Sequence, residues 1–220
     1  MASPDQLSRA AVGLGIATLA LLAAVVVMSL TGSVETSGQP RSNLRLLSDT
    51  FAAGGTVDGS GEFGWSTQSQ PWLSDGRVAR PTEAPAVLTG FTPAATLVEL
   101  NVLWADSADG AGVELAWSAD ESWALRLAEG RFELIRNPGL LDEAVEVDGP
   151  IPPPGGDETG TAAPGTSASL SLDGVGLSIE LNGAQVAEVS SRSPMSDSSF
   201  SLTASTADVA VDRVTAKVRQ

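Results

Sequence analysis

The sequence predicts an all-β domain, an antiparallel β-sandwich or jelly roll, preceded by a single N-terminal transmembrane helix. Residues 10–30, AAVGLGIATLALLAAVVVMSL, form one uncharged apolar run. Beyond it, short apolar alternations of period two recur between Gly and Pro, and none holds a helical period for three turns. One stretch, LSIELNGAQVAEVS from Leu177 to Ser190, already reads as a complete hairpin.

The elements follow in chain order. Residues 1–9 form a short cytoplasmic N-terminus. The 21 residues of 10–30, at about 1.5 Å each, span roughly 31 Å and cross a bilayer core. A secretory signal has a shorter apolar core, about 7–15 residues, and a small-residue cleavage site. No clear site of that kind follows here, so the segment is expected to be an uncleaved anchor. Arg9 on the short side and Arg41 and Arg45 on the long side barely orient it by charge. The exported character of the long side sets the expectation: a single-pass plasma-membrane protein with its C-terminal domain extracellular. Residues 31–47, small and polar at first, read as a stalk.

Residues 48–220 are long enough for one sandwich with its own core. In TLVELNVLWA, Val98, Leu100, Val102 and Trp104 share a face. In GVELAW, Val113, Leu115 and Trp117 share one, with Glu114 opposite. Trp123, Leu125 and Leu127 alternate in SWALRL, and Phe132 and Leu134 in RFELIR. Trp104, Trp117 and Trp123 are therefore expected in the core. The acidic residues Asp142, Glu143, Glu146 and Asp148 read as a solvated edge. The Pro/Gly-rich segment 149–166 is expected to be a surface loop. In the hairpin, Leu177, Ile179 and Leu181 face inward, Asn182-Gly183 supplies the positive φ of a primed turn, and Val186 and Val189 require a bulge near Ala187-Glu188. FSLTA and DVAVDRVTAKV close the chain, the latter changing phase around Asp212-Arg213.

Composition removes several functions. The chain has no cysteine and no histidine. A disulfide, a thiolate metal site and a serine–histidine triad are thereby excluded. A net charge of −15 with Lys217 as the single lysine argues against a nucleic-acid partner and against an anionic lipid surface.

Four stretches carry a resemblance: DTFAAGG (49–55), GWSTQSQPWLSDGRVARP (64–81), ASLSLDGVGLSIELNGAQVAEV (168–189) and VAVDRVTAKV (209–218). Their order is similar to the concanavalin A-like lectin/glucanase superfamily, laminin-G-like domains included. That resemblance implies a sandwich that binds sugars or proteins, or hydrolyses glycosides. Laminarinase-type members carry E-x-D-x-x-E on one strand; in the nearest string here Asn101 and Trp104 follow Glu99 where the carboxylates belong. No catalytic residue is therefore assigned. Trp65 and Trp72, outside clean alternation, are the expected sugar-stacking residues. The resemblance also implies a structural calcium, with Asp212 as ligand joined by Asp49 or the carbonyls of Gly54 and Gly55. The expected function is a membrane-anchored, non-catalytic binding module for a glycan or cell-envelope component. The alternative is an accessory subunit of a membrane complex, its sandwich meeting a protein partner.

Overall fold

A computed structural model describes residues 43–91, 96–106, 108–118, 121–154, 165–190 and 199–219. The expected membrane helix at 10–30 and the stalk as far as residue 42 lie outside the described residues. Among the described residues, no helix is long and apolar enough to cross a membrane.

The domain is all-β and antiparallel, built as two sheets. The nine-stranded sheet contains β1 (Leu44–Asp49), β2 (Gly55–Thr56), β4 (Trp72–Ser74), β5 (Ala79–Pro81), β7 (Thr96–Trp104), β12 (Thr166–Asp173), β13 (Gly176–Leu181), β14 (Ala184–Ser190) and β16 (Val211–Arg219). Its order is β14-β13-β12-β7-β16-β5-β4-β2, with β1 also paired to β16. The seven-stranded sheet holds β3 (Ser66–Gln68), β6 (Ala86–Phe91), β8 (Ala111–Ser118), β9 (Glu121–Ala128), β10 (Arg131–Arg136), β11 (Ala144–Pro150) and β15 (Ser199–Ala204). Its order is β11-β10-β9-β8-β15-β6-β3. Consecutive hairpins from β8 to β11 form the expected meander, while β15 and β6 complete the sheet from distant parts of the chain.

Period-two alternation places one row of each strand in the core. Val113 and Leu115 of β8, Trp123, Leu125 and Leu127 of β9, and Phe132 and Leu134 of β10 all point inward and are buried. They meet Leu100, Val102 and Trp104 of β7, and Leu177, Ile179 and Leu181 of β13, in a single cluster. The side chain of Trp117 lies outside the described residues.

The hairpin turns as expected, with Asn182 at φ 51 and Gly183 at φ 79. Its bulge falls at Val186, which is skipped between the pairs Ile179–Ala187 and Glu180–Gln185. The bulge on β16 falls at Asp212, between the pairs Val211–Trp104 and Arg213–Leu103. It is what lets both Val211 and Val214 be buried.

Some boundaries differ from expectation. Leu44–Leu47 belong to β1 rather than the stalk, because they pair with Arg219, Val218, Lys217 and Ala216. Val98 does not face the core as expected. A second bulge on β7 skips it and turns Leu97 inward instead. The Pro/Gly-rich segment is also shorter than 149–166: Gly149 and Pro150 still pair in β11, and Thr166 opens β12. Residues 155–164 lie outside the described residues.

Antiparallel pairing gives the sandwich two distinct ends. The chain enters at the start of β1, opposite Arg219, which itself lies opposite Thr96 at the start of β7. The ends of β6, β8 and β10, the starts of β9 and β11, and the β12–β13 turn lie at this same entry end. The far end holds the β7–β8 and β9–β10 turns and the Asn182-Gly183 turn.

Candidate functional site

Side chains that point away from the core are the ones available for function. On the seven-stranded sheet they form cross-strand rows set by register. One row runs Ser66, Thr89, Ser201, Glu114, Ala124 and Ile135 across β3, β6, β15, β8, β9 and β10. Thr89 and Ser201 share a hydrogen bond of 3.1 Å between their hydroxyls, and Gln68 Nε2 donates to Thr89 Oγ1 at 3.4 Å. These contacts tie three strands together on the outer face.

Glu114 stands at the centre of this row. It is half-buried, and desolvation pushes its carboxyl above the usual carboxylate range. Among the described residues no side chain donates a hydrogen bond to it and no cation pairs with it. Its outward neighbours along β8 are Gly112 and Ala116, and across the sheet Ser201 and Ala124. All four are small, which leaves room over the carboxylate. At Gly112 an added Cβ would stand 2.6 Å from Thr203 Oγ1 and 2.9 Å from Leu125 O, so only glycine fits. The row beyond carries Arg126 and Glu133, paired to each other at 3.2 Å. A partly desolvated carboxylate with no partner among the described residues, set in a sheet face of hydroxyls, makes Glu114 the candidate binding position.

Glu99, by contrast, is fully committed to the fold. It lies on the outer face of the nine-stranded sheet, where Asn101 Nδ2 donates at 2.9 Å and Lys217 Nζ at 2.6 Å. Those bonds hold its carboxyl below the usual range despite burial. Trp104 points into the core, so the Glu99–Trp104 string does not present carboxylates on one face. A cleft of about 520 Å³ crosses this face over Asn101, Ser169, Glu180 and Thr215.

The tryptophans expected to serve as sugar platforms need correction. Trp65 is 1% exposed and Trp72 is 0% exposed. Neither offers a ring face to solvent. Trp65 packs on Phe51, Phe63 and Phe200 with ring centroids 5.9, 5.1 and 5.7 Å away. The irregular stretch around both residues folds over the sandwich edge and buries them, because rings of that area are more stable out of water.

The aspartates of the expected calcium site are given separate partners. Asp49 Oδ2 accepts from Trp65 Nε1 at 2.8 Å and Oδ1 from the Phe51 backbone N–H at 2.8 Å. Gly54 lies against the backbone of Ser74–Gly76. Asp212 lines a cleft of about 570 Å³ with Asp75, Asp106, Arg77 and Arg80. Arg80 pairs with Asp106 at 3.2 Å and donates to the Asp208 carbonyl. Among the described residues, no group of three His, Cys, Asp or Glu side chains could hold a metal ion. The acidic run before the Pro/Gly segment does lie on the edge strand. Glu146 pairs with Arg136 at 2.7 Å and Asp148 with Arg131 at 2.6 Å.

Sequence reasoning placed Glu114 opposite an apolar face and went no further. The signal was there: one carboxylate between Gly112 and Ala116 on a strand that otherwise reads as core. Its hydroxyl neighbours come from β6 and β15 and could be found only after folding.

No family model matches this sequence, and no curated protein matches it. Solved structures share its architecture. LamAcat from Zobellia galactanivorans aligns with a TM-score of 0.52 at 12% identity, covering 81% of this chain and 98% of that one. A protein of unknown function with galectin-like fold from Bacillus subtilis aligns at 0.50 and 13%, covering 71% and 89%. Beta-agarase A in complex with oligoagarose aligns at 0.50 and 10%, covering 84% and 97%. The likeness is one of fold: a two-sheet jelly roll, consistent with the concanavalin A-like architecture.

Proposed function

We propose that the β-sandwich is a non-catalytic glycan-binding module, displayed outside the cell by the apolar segment 10–30. The observation that carries this reading is the Glu114 row: a carboxylate with no partner among the described residues, set between Ser201 and Ala124, with Thr89 beyond Ser201, and bordered by small residues. Glycans present dense hydroxyls, and a desolvated carboxylate accepts hydrogen bonds from two of them at once. One neighbour in fold, a beta-agarase in complex with oligoagarose, supports a glycan as ligand class. The outward positions along β8 beside Glu114 are Gly112 and Ala116, so that strand face offers one carboxylate. Retaining and inverting hydrolysis both use two. This favours binding over cleavage.

The test is a glycan array probed with residues 43–220 and with the Glu114→Gln variant. Asn43–Gln220 is one compact unit with a core cluster of its own. Hydrogen bonds to a charged acceptor contribute about 1.5–3 kcal/mol. Any bound glycan should therefore lose roughly 10- to 150-fold in affinity to the variant. Equal binding by both proteins removes Glu114 from the site, and no binding to any glycan removes the reading.

A further inference from the structure

Burial leaves one aromatic ring in water. Phe91 is 45% exposed, while every other phenylalanine, and each tryptophan whose side chain is described, is 4% exposed or less. A single exposed hydrophobic residue means little by itself. The position of this one gives it meaning, because it shares a sheet face with Glu114.

Phe91 closes β6. Gly90 before it faces the core, where an added Cβ would stand 2.7 Å from Phe200 and 2.8 Å from Trp65. Alternation therefore turns Phe91 outward, to the side of Thr89. Its N–H donates to the Phe63 carbonyl at 2.8 Å, and Phe63 packs in turn on Trp65 and Phe200. The exposed ring is thus mounted on backbone held by a buried aromatic cluster, so little order remains to be imposed when a ligand docks. Register fixes its place relative to the unpaired carboxylate. Phe91 stands opposite Ser199 and Thr89 opposite Ser201, while Ser201 stands opposite Glu114. Two strand spacings across the sheet and two residues along it separate Phe91 from Glu114 by about 12 Å. The ground between them carries Thr89, Ser199 and Ser201, short hydroxyl side chains that leave the path open.

A pyranose has one apolar C–H face and a rim of hydroxyls. The C–H face matches the electron-rich face of a phenyl ring, and the hydroxyls donate to a carboxylate. One sugar ring is too short to touch both Phe91 and Glu114, and two linked rings are long enough. Charge narrows the class further. Arg126, the outward cation on the neighbouring strand β9, is already paired with Glu133 at 3.2 Å. A uronate or sulfated sugar would bring a second anion against Glu114, on a chain of net charge −15, where partial burial weakens screening. The geometry points to a non-acidic oligosaccharide of at least two rings as the ligand, with one ring stacked on Phe91 and the other hydrogen-bonded to Glu114. This inference rests on the glycan-binding reading of the Glu114 row, and adds to it a stacking residue, a minimum length and a charge class.

The test is an array of neutral glucan and galactan oligosaccharides in a ladder of lengths, beside uronate-bearing oligosaccharides of the same lengths. It is probed with the full chain in a detergent that has no sugar headgroup, and with Phe91→Ala, Phe91→Leu, Phe91→Tyr and Glu114→Gln. Binding should begin at the disaccharide and favour the neutral series. Phe91→Ala should lower affinity roughly tenfold, from the apolar area it no longer covers. Phe91→Leu, which keeps apolar bulk but has no ring face, should fall with it, and Phe91→Tyr should retain binding. Glycan binding that needs Glu114 but is indifferent to every Phe91 variant overturns this inference and leaves the glycan-binding reading standing. Monosaccharides held as tightly as longer chains, or a preference for the uronate series, do the same. No binding to any glycan overturns both.

Discussion

Asp49→Ala tests how the opening segment is held. The Asp49 carboxylate accepts from Trp65 Nε1 and from the Phe51 N–H, each at 2.8 Å. Trp65 is 1% exposed, so its indole N–H has no water to turn to once the carboxylate is gone. Losing the charged acceptor of a buried donor costs about 1.5–3 kcal/mol, and the backbone bond about 1 more. The sum is about 2.5–4 kcal/mol. For a domain of this size each kcal/mol lowers Tm by roughly 2–4 °C, giving a fall of about 5–16 °C. Tryptophan fluorescence during thermal unfolding of residues 43–220 measures it. Gly61→Ala should do similar damage from the other side. Its φ is +69, and its new Cβ would stand 2.0 Å from Asp49 Oδ2, displacing the acceptor. Chelator provides the decisive control. If removing calcium brings the wild type down to the variant's Tm while the variant is indifferent, Asp49 serves a cation rather than the Trp65 indole. A loss below about 1 kcal/mol would refute the indole role as well, since a buried Trp donor would then have cost nothing.

Glu114→Gln should also change stability with pH. The folded carboxyl is raised above its ordinary value of 4.5, so the unfolded chain loses its proton first as pH rises. Stability falls between the unfolded and folded values and stays lower above them. Urea unfolding should therefore find the Gln variant equal to wild type in acid and at least as stable at neutral pH; a variant weaker at pH 7 contradicts the desolvation. Trp72→Ala should cost about 3–5 kcal/mol by opening a cavity, seen as a lower denaturant midpoint. A variant of native stability would return Trp72 to the surface.

The acidic composition, the lack of cysteine and histidine and the strand alternation were legible before any folding. Whether Leu125 or Trp123 points inward depends on its own period of two, a local property. The β16 bulge at Asp212 was visible for the same reason, since valines on both sides of it could not otherwise share the core. Val98 was misjudged because a bulge shifts the phase without leaving a mark in composition.

Burial of Trp65 lay beyond reach, since the rings that cover it belong to Phe51, Phe63 and Phe200, and the last is brought across the chain by β15 pairing with β6. The Glu114 row is the same kind of object, assembled from β3, β6, β15, β8 and β9. So is the sharing of one sheet face by Phe91 and Glu114. By itself, then, the sequence determined which faces of the strands avoid water. Only the tertiary structure decided which side chains from distant strands meet, because that choice depends on non-local pairing whose register no single strand encodes.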